Sequence, residues 1–216
     1  MTEVVTISIL GISFLIALFI VTTKRDTILS LFDKEEEQEV VFISDEARDS
    51  SIRSLVRNDA ELAGAEEKVI EELLLMPEWL WKRYLQKEGA IIITSVMPEN
   101  NKGFVATFEG ELDKKGVKRG TAKITINANK GIEYNLVHEM MHFFCYEFDV
   151  DLKRVFLSCS QEMDRFVKEY CSNNNYYKVE KELFAEVGNL YFHKVLKPEE
   201  YPLMYGFFKN LIESFE

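Results

Sequence analysis

The chain has too little cysteine to be held by disulfides. Its 216 residues contain three, Cys145, Cys159 and Cys171. The number is odd and no CxxC pair occurs, which excludes a disulfide framework, a zinc finger and a dithiol redox site. Three reduced, mostly buried thiols are expected instead. Basic charge is also scarce: 26 Lys and Arg face 37 Asp and Glu, giving a formal net charge of -11 and a pI near 4.9. Phosphate recognition needs clustered cations, so no nucleic-acid partner is expected. Internal repeats and low-complexity tracts are absent. What the chain does have is apolar bulk, 47% hydrophobic and 12% aromatic residues, enough to bury a sizeable core and to exclude wholesale disorder.

Residues 4–23, VVTISILGISFLIALFIVTT, carry no charge and have about the length that crosses a bilayer's hydrocarbon core. A cleaved leader would begin with basic residues and end in a small-residue cleavage site. Here the only charged residue before the run is Glu3 and no A-x-A pattern follows it, so an uncleaved, single-pass anchor in the lipid bilayer is expected. Lys24 and Arg25 flank its C-terminal end, which places the rest of the chain in the cytoplasm by the positive-inside rule. The expected organisation is an anchor over 1–25, an acidic spacer over 26–45 containing Asp33-Lys34-Glu35-Glu36-Glu37-Gln38-Glu39, and one domain over 46–216.

Within that domain, a strand is expected at Val40 to Ile43 on its threshold, then a helical pattern from Ser44 to Leu75 interrupted near Gly64. Pro77 restarts a helix, PEWLWKRYLQKEG, that stops at Gly89. Ala90 to Val96 reads as a buried strand. Gly103 to Gly110 and Thr121 to Ala128 alternate about the turn Asp113-Lys114-Lys115-Gly116 and form a hairpin. From Ile132 onward the period is helical. The fold class is therefore α+β, a small mixed sheet followed by a helical half.

Histidine is rare too, yet two of the three stand in His138-Glu139-Met140-Met141-His142. Imidazoles four apart on a helix share a face and can close on one zinc ion, with the glutamate beside the open coordination position. There Glu139 can take a proton from zinc-bound water as the water attacks a carbonyl. The bland alternative is a core helix that happens to carry two histidines. Met140, Met141, Phe143 and Phe144 are expected in the core.

A catalytic zinc keeps three protein ligands, so one more is needed. The metzincin extension would place Gly and His where Cys145 and Phe148 stand, and is excluded. Glu162 lies at the distance used by thermolysin-type sites, although Phe166 replaces the aspartate of that pattern. The other candidate is Glu182 in KELFAEVGNLYFH, with Glu186 one turn on and Leu183, Phe184, Leu190 and Tyr191 supplying a buried face. One of this acidic pair can ligate while the other holds a histidine N–H. His193 is expected to be structural.

LVHEMMH, then about forty residues, then ELFAE, then the aromatic YPLMYGFFKNLIE resemble the anthrax lethal factor-like metallopeptidases, a family that includes secreted clostridial Pro-Pro endopeptidases. The resemblance covers roughly Gly120 to Phe215. It implies a gluzincin-like helical half, one catalytic Zn2+ held by His138, His142 and Glu182, Glu139 as base, and Glu186 behind the ligands. The family's oxyanion-donating tyrosine would fall on Asn175, a departure; Tyr176 comes into place if the loop is one residue shorter. In such enzymes a peptide adds to the sheet edge before the zinc helix. TAKITINA suits an edge strand and an interior one equally. The expected function is a membrane-anchored zinc endopeptidase acting on a protein or peptide. The alternatives are a membrane-tethered, non-catalytic zinc-fold module and an exported peptidase.

Overall fold

Four strands, six helices and a short helical stretch at residues 50–53 lie in the described part of the molecule, which in this computed structural model comprises residues 50–101, 104–112, 118–148, 150–171 and 175–215. All belong to one compact unit, Ile43–Glu216. The anchor, the spacer and the strand expected at Val40 to Ile43 lie outside the described residues. No helix among the described residues is long and apolar enough to cross a membrane.

The strands are β1 (Val56–Asn58), β2 (Ala90–Thr94), β3 (Ala106–Leu112) and β4 (Lys118–Asn127), in the order β1-β2-β4-β3. β1 and β4 run parallel to β2, while β3 runs antiparallel to β4, so the sheet is mixed, as expected. The register stacks Ile91 beside Ile124, and Ile93 beside Ile126, with Ala106, Phe108 and Gly110 following across β4. Side chains alternate across a strand, so these residues share one face. Four isoleucines there are fully buried, and the burial alternates along β2 as period-two packing requires.

β1 departs from the helical pattern expected through Ser44 to Leu75. Residues 50–53 are helical, but Val56–Asn58 pairs with Ile91–Ile93. Three residues are too short to impose a period on the sequence, and their pairing comes wholly from β2. The interruption at Gly64 is the start of α1 (Ala65–Leu74), where glycine adopts φ +75. α2 (Glu78–Gln86) begins after Pro77, whose fixed φ suits a helix start. Its Tyr84 hydroxyl reaches the carbonyls of Ala90 and Ala122, tying the helix to β2 and β4.

The helical half comprises α3 (Asn135–Phe148), α4 (Leu152–Glu169), α5 (Glu180–Phe192) and α6 (Pro202–Glu213). α3 packs on the isoleucine face through Phe143, whose ring meets Tyr84 and Phe108 edge-on. Tyr146 lies so close to Gly110 that a Cβ there would sit 2.8 Å from its ring. Met140, Met141, Phe143 and Phe144 are buried, as expected. At the far end of α3, Glu147 pairs with Arg83 at 2.8 Å and Lys87 at 3.2 Å, fixing the helix against α2.

Candidate metal centre

α3 carries the HEMMH segment and α5 carries ELFAE, and the two helices lie antiparallel in direct contact. Successive turns of one meet successive turns of the other in reverse order: His138 meets Glu186 and His142 meets Glu182. His138 Nδ1 lies 3.1 Å from Glu186 Oε2, and His142 Nε2 lies 3.2 Å from Glu182 Oε2. The same Glu182 oxygen lies 3.5 Å from His138 Nε2. The two rings stand 5.0 Å apart and nearly perpendicular.

His138, His142 and Glu182 each offer one donor atom, and those atoms lie within 4.8 Å of one another, so the three could hold one metal ion. The chemistry of the set fits zinc, which takes imidazole nitrogen and carboxylate oxygen. The geometry around His138 fits as well. Its Nδ1 is engaged by Glu186, which orients the ring and leaves Nε2 turned to Glu182.

The ionisable groups of the site perturb one another. Burial lowers the His138 pKa, but hydrogen bonds to Glu182 and Glu186 override it and bring the group to about 9. Burial likewise opposes charge on Glu182, yet hydrogen bonds from His138, His142 and Tyr176 hold its carboxyl well below the usual carboxylate range. Glu139 differs. It is 8% exposed, and burial raises its pKa more than the neighbouring histidines lower it. Its carboxylate accepts the backbone N–H of Phe108 on β3, a contact that joins the helix to the sheet edge.

That edge is β3. β4, where TAKITINA was open to either role, lies between β2 and β3, because β2 takes up its other side. Among the described residues no strand pairs with the outer side of β3. Asn127 N–H donates to Val105 C=O, which sets the phase of the antiparallel ladder. Val105, Thr107 and Glu109 turn their backbone groups to β4, and Ala106, Phe108 and Gly110 turn theirs outward.

Tyr176 sits in a short 3-10 turn, Asn175–Lys178, directly before α5. Its hydroxyl donates to Glu182 Oε2 at 2.5 Å. Burial first, and then the Glu182 carboxylate, raise its pKa, so the hydroxyl keeps its proton. Tyr177 stacks edge-on against Tyr176 and is raised to about 12 by burial and by Glu186.

Glu162 is not in the cluster. Its carboxylate accepts the backbone N–H groups of Leu203 at 3.0 Å and Met204 at 2.9 Å, capping the N-terminus of α6. Those donors have no partner within their own helix, which is why a carboxylate is held there. His193 pairs with Glu72 of α1, at 3.1 Å. Glu72 escaped the sequence reading, although a signal exists: it falls on the buried stripe Ala65, Val69, Leu73 of α1, where an unpaired carboxylate does not belong. The three cysteines form no disulfide. Cys159 and Cys171 are buried, and burial pushes the Cys145 and Cys171 thiols up to about 12.

No family model and no curated protein matches the sequence. Among solved structures, that of a Pro-Pro endopeptidase from Paenibacillus alvei is similar, with a TM-score of 0.50 and 19% identity, covering 74% of this chain and 99% of that chain. At that identity the similarity is one of fold.

Proposed function

We propose that the chain is a membrane-anchored, zinc-dependent endopeptidase in which Glu139 is the general base. The observation that carries this reading is the convergence of two imidazoles and the Glu182 carboxylate from antiparallel helices, beside a buried glutamate that reaches the sheet edge. Zinc bound there would supply a Lewis acid that polarises a carbonyl and acidifies water.

Glu139 accepts the proton of the water that attacks the scissile carbonyl, and returns it to the leaving amine. Its burial suits this role, because a carboxylate of raised pKa is a stronger base than a solvated one. Tyr176 keeps its proton and, on giving up its bond to Glu182, donates a hydrogen bond to the oxyanion, worth about 3 kcal/mol when the donor is in place. Glu186 holds the His138 ring in orientation through Nδ1. An extended peptide joins the outer side of β3, pairing with backbone groups of Ala106, Phe108 and Gly110. The Phe108 N–H is already engaged by Glu139, so its carbonyl is the group left for substrate. The uncharged run at 4–23 supports the membrane attachment, with Lys24 and Arg25 favouring a cytoplasmic catalytic domain.

The full chain, purified in detergent, should contain near-stoichiometric zinc, and His142→Ala should lose it. Incubation with a peptide library that includes Pro-Pro sequences, suggested by the enzyme of similar fold, should show cleavage by the wild type and none by Glu139→Gln. A zinc-loaded wild type that leaves every peptide intact would point to the non-catalytic module. A C-terminal tag digested by protease added to intact cells would refute the cytoplasmic orientation and favour the exported peptidase.

A further inference from the structure

We propose that Glu72 and His193 are positioning residues that set the register of the two ligand-bearing helices, acting through the backbone of Tyr134. The inference rests on the metal-site reading above.

The row of contacts between α3 and α5 does not end at His138 and Glu186. Tyr134, one turn before His138 at the entry to α3, stacks on His193, two turns beyond Glu186 at the end of α5, with ring centroids 4.2 Å apart and 25° between planes. His193 Nδ1 lies 2.8 Å from the carbonyl of Asn189, in the last turn of α5. A carbonyl can only accept, so Nδ1 carries a hydrogen. Its Nε2 lies 3.1 Å from Glu72 Oε1, and the second oxygen of Glu72 accepts the Tyr134 N–H at 3.2 Å. One buried carboxylate on α1 therefore holds the N-terminus of the HEMMH helix with one oxygen and the C-terminus of the ELFAE helix with the other.

The backbone at Tyr134 needs such a hold. Its φ is +65, a conformation that an aromatic residue rarely adopts and that persists only when surrounding contacts enforce it. The stacked ring and the Glu72 hydrogen bond are those contacts. Lys68 adds a third tie, binding Glu133 at 2.9 Å from the same helix α1. Because α3 starts immediately after Tyr134, a relaxed φ there would rotate the first turn of α3, which carries His138, relative to α5. The pair touches neither metal ligand nor substrate, and so acts through the helices.

The test must separate positioning from bulk stability. Removing one partner of a buried pair leaves the other uncompensated, whereas replacing both by apolar groups of similar volume is often neutral for stability. In the full chain, Glu72→Leu and His193→Phe singly should lower both the melting temperature and zinc affinity, measured by chelator competition. The double variant, which keeps an aromatic ring against Tyr134, should recover most of the melting temperature yet bind zinc about tenfold more weakly than wild type. Glu72→Gln, which retains an acceptor for the Tyr134 N–H, should restore affinity relative to Glu72→Leu. Zinc affinity equal to wild type in Glu72→Leu, Glu72→Gln and the double variant would overturn the inference while leaving the metal site intact. A wild type that takes up no zinc would instead overturn the underlying reading, and this inference with it.

Discussion

Gly188 offers a substitution whose sign, rather than size, tests the packing of the two ligand-bearing helices. It lies on α5 two residues beyond Glu186, against Met141 of α3. A Cβ at this position would stand 2.6 Å from Met141 Sδ, 2.7 Å from Met141 Cγ and 2.9 Å from Phe208 Cε1. Carbon contacts settle near 3.5–4.0 Å, so Gly188→Ala needs about 1 Å of room that a packed core does not have. Helix propensity alone would make the variant more stable by roughly 0.5–1 kcal/mol. Overpacking costs about 1–3 kcal/mol, and should win by about 1–2 kcal/mol because two neighbours on different helices must both yield. For a chain of this size each kcal/mol corresponds to about 2–4 °C in melting temperature. The displaced helix also carries Glu182 and Glu186, so zinc affinity should fall as well. Thermal unfolding and chelator competition measure both effects. Adding Met141→Ala opens the space again, so a double-mutant cycle should return a favourable coupling of about 1 kcal/mol or more. A Gly188→Ala protein more stable than wild type, with unchanged zinc affinity, would show that α3 and α5 are not packed this closely.

Glu162→Ala should cost about 0.5–2 kcal/mol through the lost cap on α6 and leave zinc content unchanged; loss of zinc would mean that Glu162 is a ligand after all. Glu139→Gln should keep zinc, checked by metal analysis, while kcat/KM falls by at least about 100-fold. In chelator-treated protein the His138 pKa is raised from 6.5 to about 9, so its stabilising contribution is complete below pH 6.5 and is lost as pH rises through 9. The melting temperature of the metal-free protein should fall across that window, and a His138→Gln variant should lack the decline. The proton held by His138 competes with zinc, so apparent zinc affinity should rise from pH 6.5 toward 9; a flat profile by competition titration would refute that protonation.

The local elements were legible because a few neighbouring residues determine them. His138 and His142 share a face in any α-helix, whatever it packs against. Pro77 starts α2, and alternation about a turn marks the β3–β4 hairpin. β1 was illegible, since Val56–Asn58 has no period of its own and becomes a strand only beside Ile91–Ile93. The edge was illegible for a related reason: alternation in β4 reports one buried face, not how many neighbours lie in the plane of the sheet.

The HEMMH helix and the candidates for its companion are thus readable from neighbouring residues alone: a paired-imidazole face, a glutamate between, and two acidic segments at different distances. The fold brings only one of those segments against the histidines. Glu162 and Glu182 are both acidic residues on helices, and although Phe166 and the ELFAE resemblance favour Glu182, which one docks is set by packing. α5 lies antiparallel on α3, so Glu182 and Glu186 fall opposite the two histidines, while Glu162 is spent on the free amides of α6. Tyr176, displaced by one residue in the sequence, reaches Glu182 because a 3-10 turn precedes α5. Spacing along one helix follows from backbone geometry. The meeting of two helices forty residues apart follows from which faces exclude water together, and that is a property of the whole core.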